Sequence, residues 1–195
     1  MTRQTTLIVF SGLPGTGKTS IAREVVARSP SAYLRIDAIE HALMKTQTVT
    51  EVGASGYVIA YELARSNLAL GMQVVVDCVN PLSVTREAWR AVAASTSSSV
   101  LEVEVVCSHQ NEHRRRVESR RANIPDFVLP TWQAVLRHDY EAWTTARLVI
   151  DSAVTDPGTA ATLILGSARL TTPASSPPSP MPDPKNPTRV HARRT

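Results

Sequence analysis

The stretch Gly12-Leu13-Pro14-Gly15-Thr16-Gly17-Lys18-Thr19 holds the most specific chemistry in the sequence. It fits G-x-x-x-x-G-K-[S/T], the pattern of a phosphate-binding loop (P-loop). Glycines let the backbone approach an anion with no Cβ in the way, and successive inward N–H groups cradle its oxygens. The helix that such a loop opens adds free N–H donors and a favourable dipole. Lys18 suits β and γ phosphates, and the Thr19 hydroxyl suits Mg²⁺. Ser20, the next residue, is counted with the phosphate-facing turn.

Three further sets of residues have chemistry to offer. Asp37 closes the apolar run Leu34-Arg-Ile and is placed at a strand's carboxyl end, where the ligand crevice of an open α/β sheet lies. A carboxylate there either holds or deprotonates an acceptor hydroxyl, or caps the helix that follows. Asp77 follows three valines and is a candidate Mg²⁺ ligand, although an aspartate opening a loop is also ordinary turn chemistry. His113-Arg-Arg-Arg116-Val117-Glu-Ser-Arg120-Arg121 is the densest basic cluster. Helical spacing puts Arg116 and Arg120 on one face, as candidates to close over a phosphoryl group; the alternative is a solvated face with Glu112 paired to Arg116.

These residues need a scaffold. Leu7–Phe10 is a continuous apolar run before the glycine-rich turn, which predicts a buried parallel strand, and a helix follows over about 17–28. Further strands are expected at Tyr33–Asp37, Val74–Asp77, Val100–Cys107 and Leu148–Ile150. In the fourth, Glu102 and Glu104 alternate with apolar residues and predict a polar face. Helices are expected after Asp37 through Leu43, over Tyr57–Leu70 (apolar positions Val58, Tyr61, Ala64, Leu68), Val84–Ala94, Asn111–Arg121, Thr131–Trp143 and Thr159–Ser167, with a loop over Thr46–Gly56. Trp132, Tyr140 and Trp143 read as core packing. Strand and helix alternate throughout, which implies an α/β fold: a parallel sheet with helices on both faces.

Composition narrows the partners. The 195 residues carry a net charge of +4, and the segment 167–195 alone carries +4 (five basic residues against Asp183), so the body is neutral. That argues against nucleic acid as the partner. Seven prolines between Pro173 and Pro187 predict a disordered tail over 169–195, after a domain over 1–168 with a lid at about 109–130. Cys78 and Cys107 end apolar runs and read as reduced, buried thiols. No run approaches the roughly 20 apolar residues of a membrane span, and no leader is visible, so a cytoplasmic location is expected.

Together, Ser11–Thr19, Leu34–Asp37, Val74–Asp77 with Asn80-Pro81, and His113–Arg121 make the chain resemble small P-loop kinases of the AAA-domain and zeta-toxin-like group. That group includes adenylylsulfate kinase, gluconate kinase and polynucleotide kinase. The resemblance covers about residues 5–152 and implies a P-loop three-layer sandwich with strand order 2-3-1-4-5. It implies ATP and Mg²⁺ as cofactors, with Lys18 and Thr19 on the phosphates and metal, Asp37 on the acceptor hydroxyl and Arg116 or Arg120 from the lid. The expected activity is phosphate transfer from ATP to a small-molecule hydroxyl by a monomer or homodimer. A polynucleotide 5′-hydroxyl kinase and a non-kinase ATPase switch are the alternatives. An N-K-x-D base-reading motif is absent, which removes a GTPase.

Overall fold

The computed structural model describes residues 5–46, 51–121 and 129–171. In chain order these form β1 (Thr6–Ser11), α1 (Lys18–Arg28), β2 (Ala32–Arg35), α2 (Ile36–Lys45), α3 (Ser55–Ala69), β3 (Val74–Asp77), α4 (Ser83–Ser95), β4 (Ser99–Val106), α5 (Gln110–Ser119), α6 (Trp132–Leu136), β5 (Leu148–Asp151) and α7 (Pro157–Thr171). All strand pairs are parallel, in the order β2-β3-β1-β4-β5. The order expected from the resemblance is therefore the one observed.

The apolar run of β1 is continuous because the strand is central and covered on both sides. Ile8 and Phe10 pack with α1 and α7 through Ile21, Val25, Ala161 and Ile164. Leu7 and Val9, on the alternate face, pack with α3 and α4 through Ala60, Ala64, Leu68 and Trp89. Two apolar layers thus clamp β1, and the loop at its carboxyl end inherits that rigidity.

Several sequence expectations change. Asp37 does not end β2; the strand stops at Arg35 and Asp37 lies in the first turn of α2. The buried face of α3 is Gly56, Ala60, Ala64 and Leu68, while Val58 faces solvent, because small residues set the closest approach to the sheet. Glu102 and Glu104 do not form a wet face. They are buried, Glu102 against Arg90 at 3.0 Å and Glu104 against Arg147 at 2.7 Å. The helix expected over Thr131–Trp143 stops at Leu136, so Tyr140 and Trp143 sit in irregular chain.

Arg120 is not on the same helical face as Arg116: α5 ends at Ser119 and Arg120 continues in extended conformation (φ −66, ψ 134). Cys78 is buried, whereas Cys107 is only half-buried, and both are free thiols. Among the described residues, no helix is long and apolar enough to cross a membrane. Helix α7 continues through Thr171; the rest of the expected tail, part of the expected Thr46–Gly56 loop and part of the expected lid lie outside the described residues.

Candidate active site

The loop between β1 and α1 is shaped by positions only glycine occupies at ease. Gly12, Gly15 and Gly17 have φ of 133°, 85° and 93°. A Cβ on Gly12 would sit 2.2 Å from the Val105 carbonyl oxygen, and one on Gly15 would sit 2.4 Å from Val117 Cγ2. Gly17 caps α1 without a side chain, and the first turn of α1 holds no acidic residue. A helix start leaves its first N–H groups without intrahelical acceptors, so an anion seated in the loop would meet donors and dipole together.

Lys18 is buried, and its ammonium donates to the Leu13 carbonyl at 2.9 Å; Thr16 Oγ1 donates to the same oxygen at 2.9 Å. Burial pushes the Lys18 pKa below its ordinary value, opposed by the carboxylates of Asp77 and Asp37. A desolvated ammonium between two carboxylates is poised to gain from an added polyanion.

A cleft of about 420 Å³ opens over this loop at the carboxyl edge of the sheet. Lys18, Thr19 and Ser20 line it from α1, Asp37 from α2, Asp77 from the end of β3, and Arg116 and Arg120 from α5 and its exit. Every catalytic and metal-binding candidate of the sequence analysis is thus brought to one cavity. Of the loop, Pro14, Gly15 and Gly17 line the cleft. Gly12 roots the loop through its N–H to the Val79 carbonyl (3.0 Å), Leu13 supplies the carbonyl that Lys18 meets, and Thr16 is buried beneath.

The two acidic residues are held, not free. Tyr33 Oη donates to Asp77 Oδ2 at 2.7 Å; Arg35 reaches the same oxygen at 3.9 Å and Asp37 Oδ2 at 3.2 Å. Tyr33 and the Arg35 guanidinium are site residues that the sequence reading passed over. Arg35 had a usable signal, a cation inside an otherwise apolar strand. Tyr33 had none, because its partner lies 44 residues away.

The lid arginines divide. Arg116 Nε donates to Glu112 at 2.7 Å, as the solvated-face alternative foresaw, but Nη1 and Nη2 also donate to the Ser152 hydroxyl (2.9 Å) and carbonyl (3.1 Å) beyond β5. That ties Arg116 beside Gly17, whose added Cβ would lie 3.8 Å from Nη1. Arg120 lies across the cleft within electrostatic reach of Asp37, Arg35 and Asp77; burial lowers its pKa, which the two carboxylates oppose.

Helix α5 is seated on the loop itself. His113 Nε2 donates to the Pro14 carbonyl at 2.8 Å and its ring meets Trp132 edge-on, while Val117, Trp132 and Val135 pack with Leu13. His113, a further residue given no role from sequence, couples the lid to the phosphate loop.

The residues fit a nucleoside polyphosphate with Mg²⁺. Among the described residues, six basic side chains and two carboxylates line the cleft, which suits a polyanion carrying a dication. Among the described residues no group of three or more histidine, cysteine or acidic side chains gathers as a metal cage. Mg²⁺ bound with phosphates takes only one or two protein oxygens, so Thr19 and Asp77 would suffice as its protein ligands.

Comparison with known proteins agrees with this geometry. A family model described as an AAA domain matches residues 7–138. No curated protein matches the chain. Among solved structures, a candidate kinase from Chloroflexus aurantiacus superposes with TM-score 0.69 at 16% identity, covering 88% of this chain and all of that one. The APS kinase of Mycobacterium tuberculosis, solved with AMPPNP and APS, gives 0.61 at 19% identity over 84% of this chain and 96% of its own. A gluconokinase from Sinorhizobium meliloti gives 0.61 at 19% over 87% and 95%. The fold shared with them is that of P-loop kinases.

Proposed function

The chain belongs to the AAA-domain family, and on that footing we propose that it is a kinase that moves the terminal phosphoryl group of ATP to a hydroxyl of a small-molecule acceptor. The observation that carries this reading is the convergence of Lys18, Asp37, Asp77 and Arg120 on one cleft at the carboxyl edge of the sheet.

In this reading Gly15 to Thr19 bind the phosphates through backbone N–H groups, and Lys18 leaves the Leu13 carbonyl for phosphate oxygens. Thr19 and Asp77 would hold Mg²⁺, which would supply charge neutralisation for the phosphates. Asp37 accepts the proton of the acceptor hydroxyl. The acceptor oxygen then bonds to the terminal phosphorus as the bond from that phosphorus to its bridging oxygen breaks, and a nucleoside diphosphate leaves with that electron pair.

Arg35 holds the Asp37 carboxylate in orientation. Arg120 meets the charge that develops on the transferred group, since it already spans toward Asp37 and Asp77. Arg116, anchored to Ser152 next to Gly17, closes the nucleotide side. His113 and Val117 make lid and loop one unit, which excludes water from the transfer.

The test is transfer from γ-labelled ATP to a metabolite panel, with Asp37→Asn as control. Label appearing on an acceptor with wild type and lost with the variant is the expected result. Equal transfer by both removes Asp37 from the mechanism, and no transfer to any acceptor despite tight Mg·ATP binding overturns the kinase reading.

A further inference from the structure

Behind the phosphate loop lies a buried polar ring that none of the phosphate-binding chemistry uses. The strand ladder between β1 and β3 ends at Phe10 and Asp77, yet the two chains stay joined beyond it. Cys78 Sγ donates to the Phe10 carbonyl at 3.2 Å, Gly12 N–H donates to the Val79 carbonyl at 3.0 Å, and Asn80 Nδ2 donates to Ser11 Oγ at 3.0 Å. Three successive residues after β3 thus grip three successive residues at the entry to the loop.

Asn80 is the centre of that grip. It is wholly buried, as is Ser11, and holds a left-handed backbone (φ 49) that an asparagine tolerates better than most residues. All four of its polar groups are engaged. Besides Ser11, its N–H donates to Tyr57 Oη (3.0 Å), its Oδ1 accepts from Thr85 Oγ1 (2.8 Å) and its carbonyl accepts from Arg86 Nε (3.2 Å). A residue so completely satisfied has one place to be.

Arg86 braces Asn80 from behind. Its guanidinium is 2% exposed and donates to the carbonyls of Asn80, Pro81, Glu141 and Ala142. The Trp143 ring covers it at 4.0 Å. Tyr140 then reaches Glu104, the β4 register partner of Ser11, so the chain of contacts returns to the strand pair that flanks the loop entry.

We propose that Asn80 is a positioning residue for nucleotide binding. Through Ser11 and Gly12 it sets the angle at which the chain enters the phosphate loop, and Arg86 fixes Asn80 in turn. The inference rests on the nucleotide-binding part of the proposed function and does not require phosphate transfer.

Its test is calorimetric affinity for Mg·ATP and for inorganic pyrophosphate with magnesium, measured beside thermal stability. Asn80→Gly keeps the left-handed backbone and removes the side chain. Ser11→Ala removes the partner hydroxyl alone, and remains informative if the first variant folds poorly. Each is expected to weaken both ligands about 3- to 10-fold, the scale of one buried hydrogen bond. The double variant is expected to bind no weaker than Asn80→Gly alone. Unchanged affinity with a lowered Tm, or single effects that multiply in the double variant, would overturn the proposal. Normal binding by wild type without transfer to any acceptor would instead defeat only the kinase reading and leave the role of Asn80 standing.

Discussion

The Lys18 ammonium and the Leu13 carbonyl lie 2.9 Å apart, so the loop's lysine is folded across the loop it belongs to. A single neutral carbonyl is a weak partner for a buried cation, and phosphate oxygens compete for the same donor with full charge. Lys18→Ala is therefore expected to weaken Mg·ATP binding at least about 10-fold, the scale of a charge-assisted bond. Because the ammonium is desolvated at a cost, the Tm of the variant should hold or rise. Calorimetry and thermal melts check both; unchanged affinity would remove Lys18 from the phosphate site.

Asp37 is oriented by Arg35 at 3.2 Å, which makes its role separable from nucleotide binding. Asp37→Asn should cut kcat for transfer by about 10²- to 10⁴-fold, the range of general acid–base catalysis, and leave Mg·ATP affinity within about 3-fold. Single-turnover transfer alongside equilibrium binding distinguishes this from a simple loss of ligand.

The two arginines should part company in kinetics. Arg120→Gln is expected to lower kcat by about 10²-fold or more with little change in nucleotide affinity, as for a donor aimed at developing charge. Arg116→Gln should mainly raise the KM for ATP, since its Ser152 contacts hold the nucleotide side. The reverse pattern would exchange their roles.

Glu40, on α2 one turn beyond Asp37, has its carboxyl pushed up to about 7 by burial, with the Asp37 charge adding to the effect. The folded protein thus holds this proton more tightly than the unfolded chain, whose glutamate titrates near the ordinary value of 4.5. Between those values the folded state binds more protons, so stability falls as pH rises through that window. Glu40→Gln should remove this loss. Melts at pH 5 and pH 8 are expected to show the variant gaining on wild type at the higher pH; a constant difference would contradict it.

Arg86→Leu should cost about 3 kcal/mol, because it removes the guanidinium donor from the Asn80, Glu141 and Ala142 carbonyls and leaves Pro81 with the Glu141 N–H alone. Denaturant unfolding measures it. A loss under about 1 kcal/mol would mean that water replaces the guanidinium readily.

Much of the fold was legible from local pattern. The run Leu7–Phe10 before a glycine turn, and the valines of β3, announce buried parallel strands because both faces of such strands are apolar. The helix over 131–143 was misread for a reason visible only in space. Its periodicity is real, but Arg86 takes the carbonyls of Glu141 and Ala142, and Glu141 N–H goes to Pro81 instead of up a helix. Alternation in β4 predicted a polar face, and only the fold shows that Arg90 and Arg147 cover it.

What the residue order determined unaided was the phosphate loop: glycine spacing, lysine and hydroxyl are contiguous, so their chemistry follows from eight neighbouring residues and the strand and helix on either side. What only the tertiary structure decided was partnership. Asp77 meeting Tyr33, Arg116 meeting Ser152 and Asn80 meeting Ser11 are contacts across 36 to 69 residues of chain. Hydrogen bonds and ion pairs are chosen by distance in space and by the loss of water around them, and neither quantity is written in the spacing of residues along the chain.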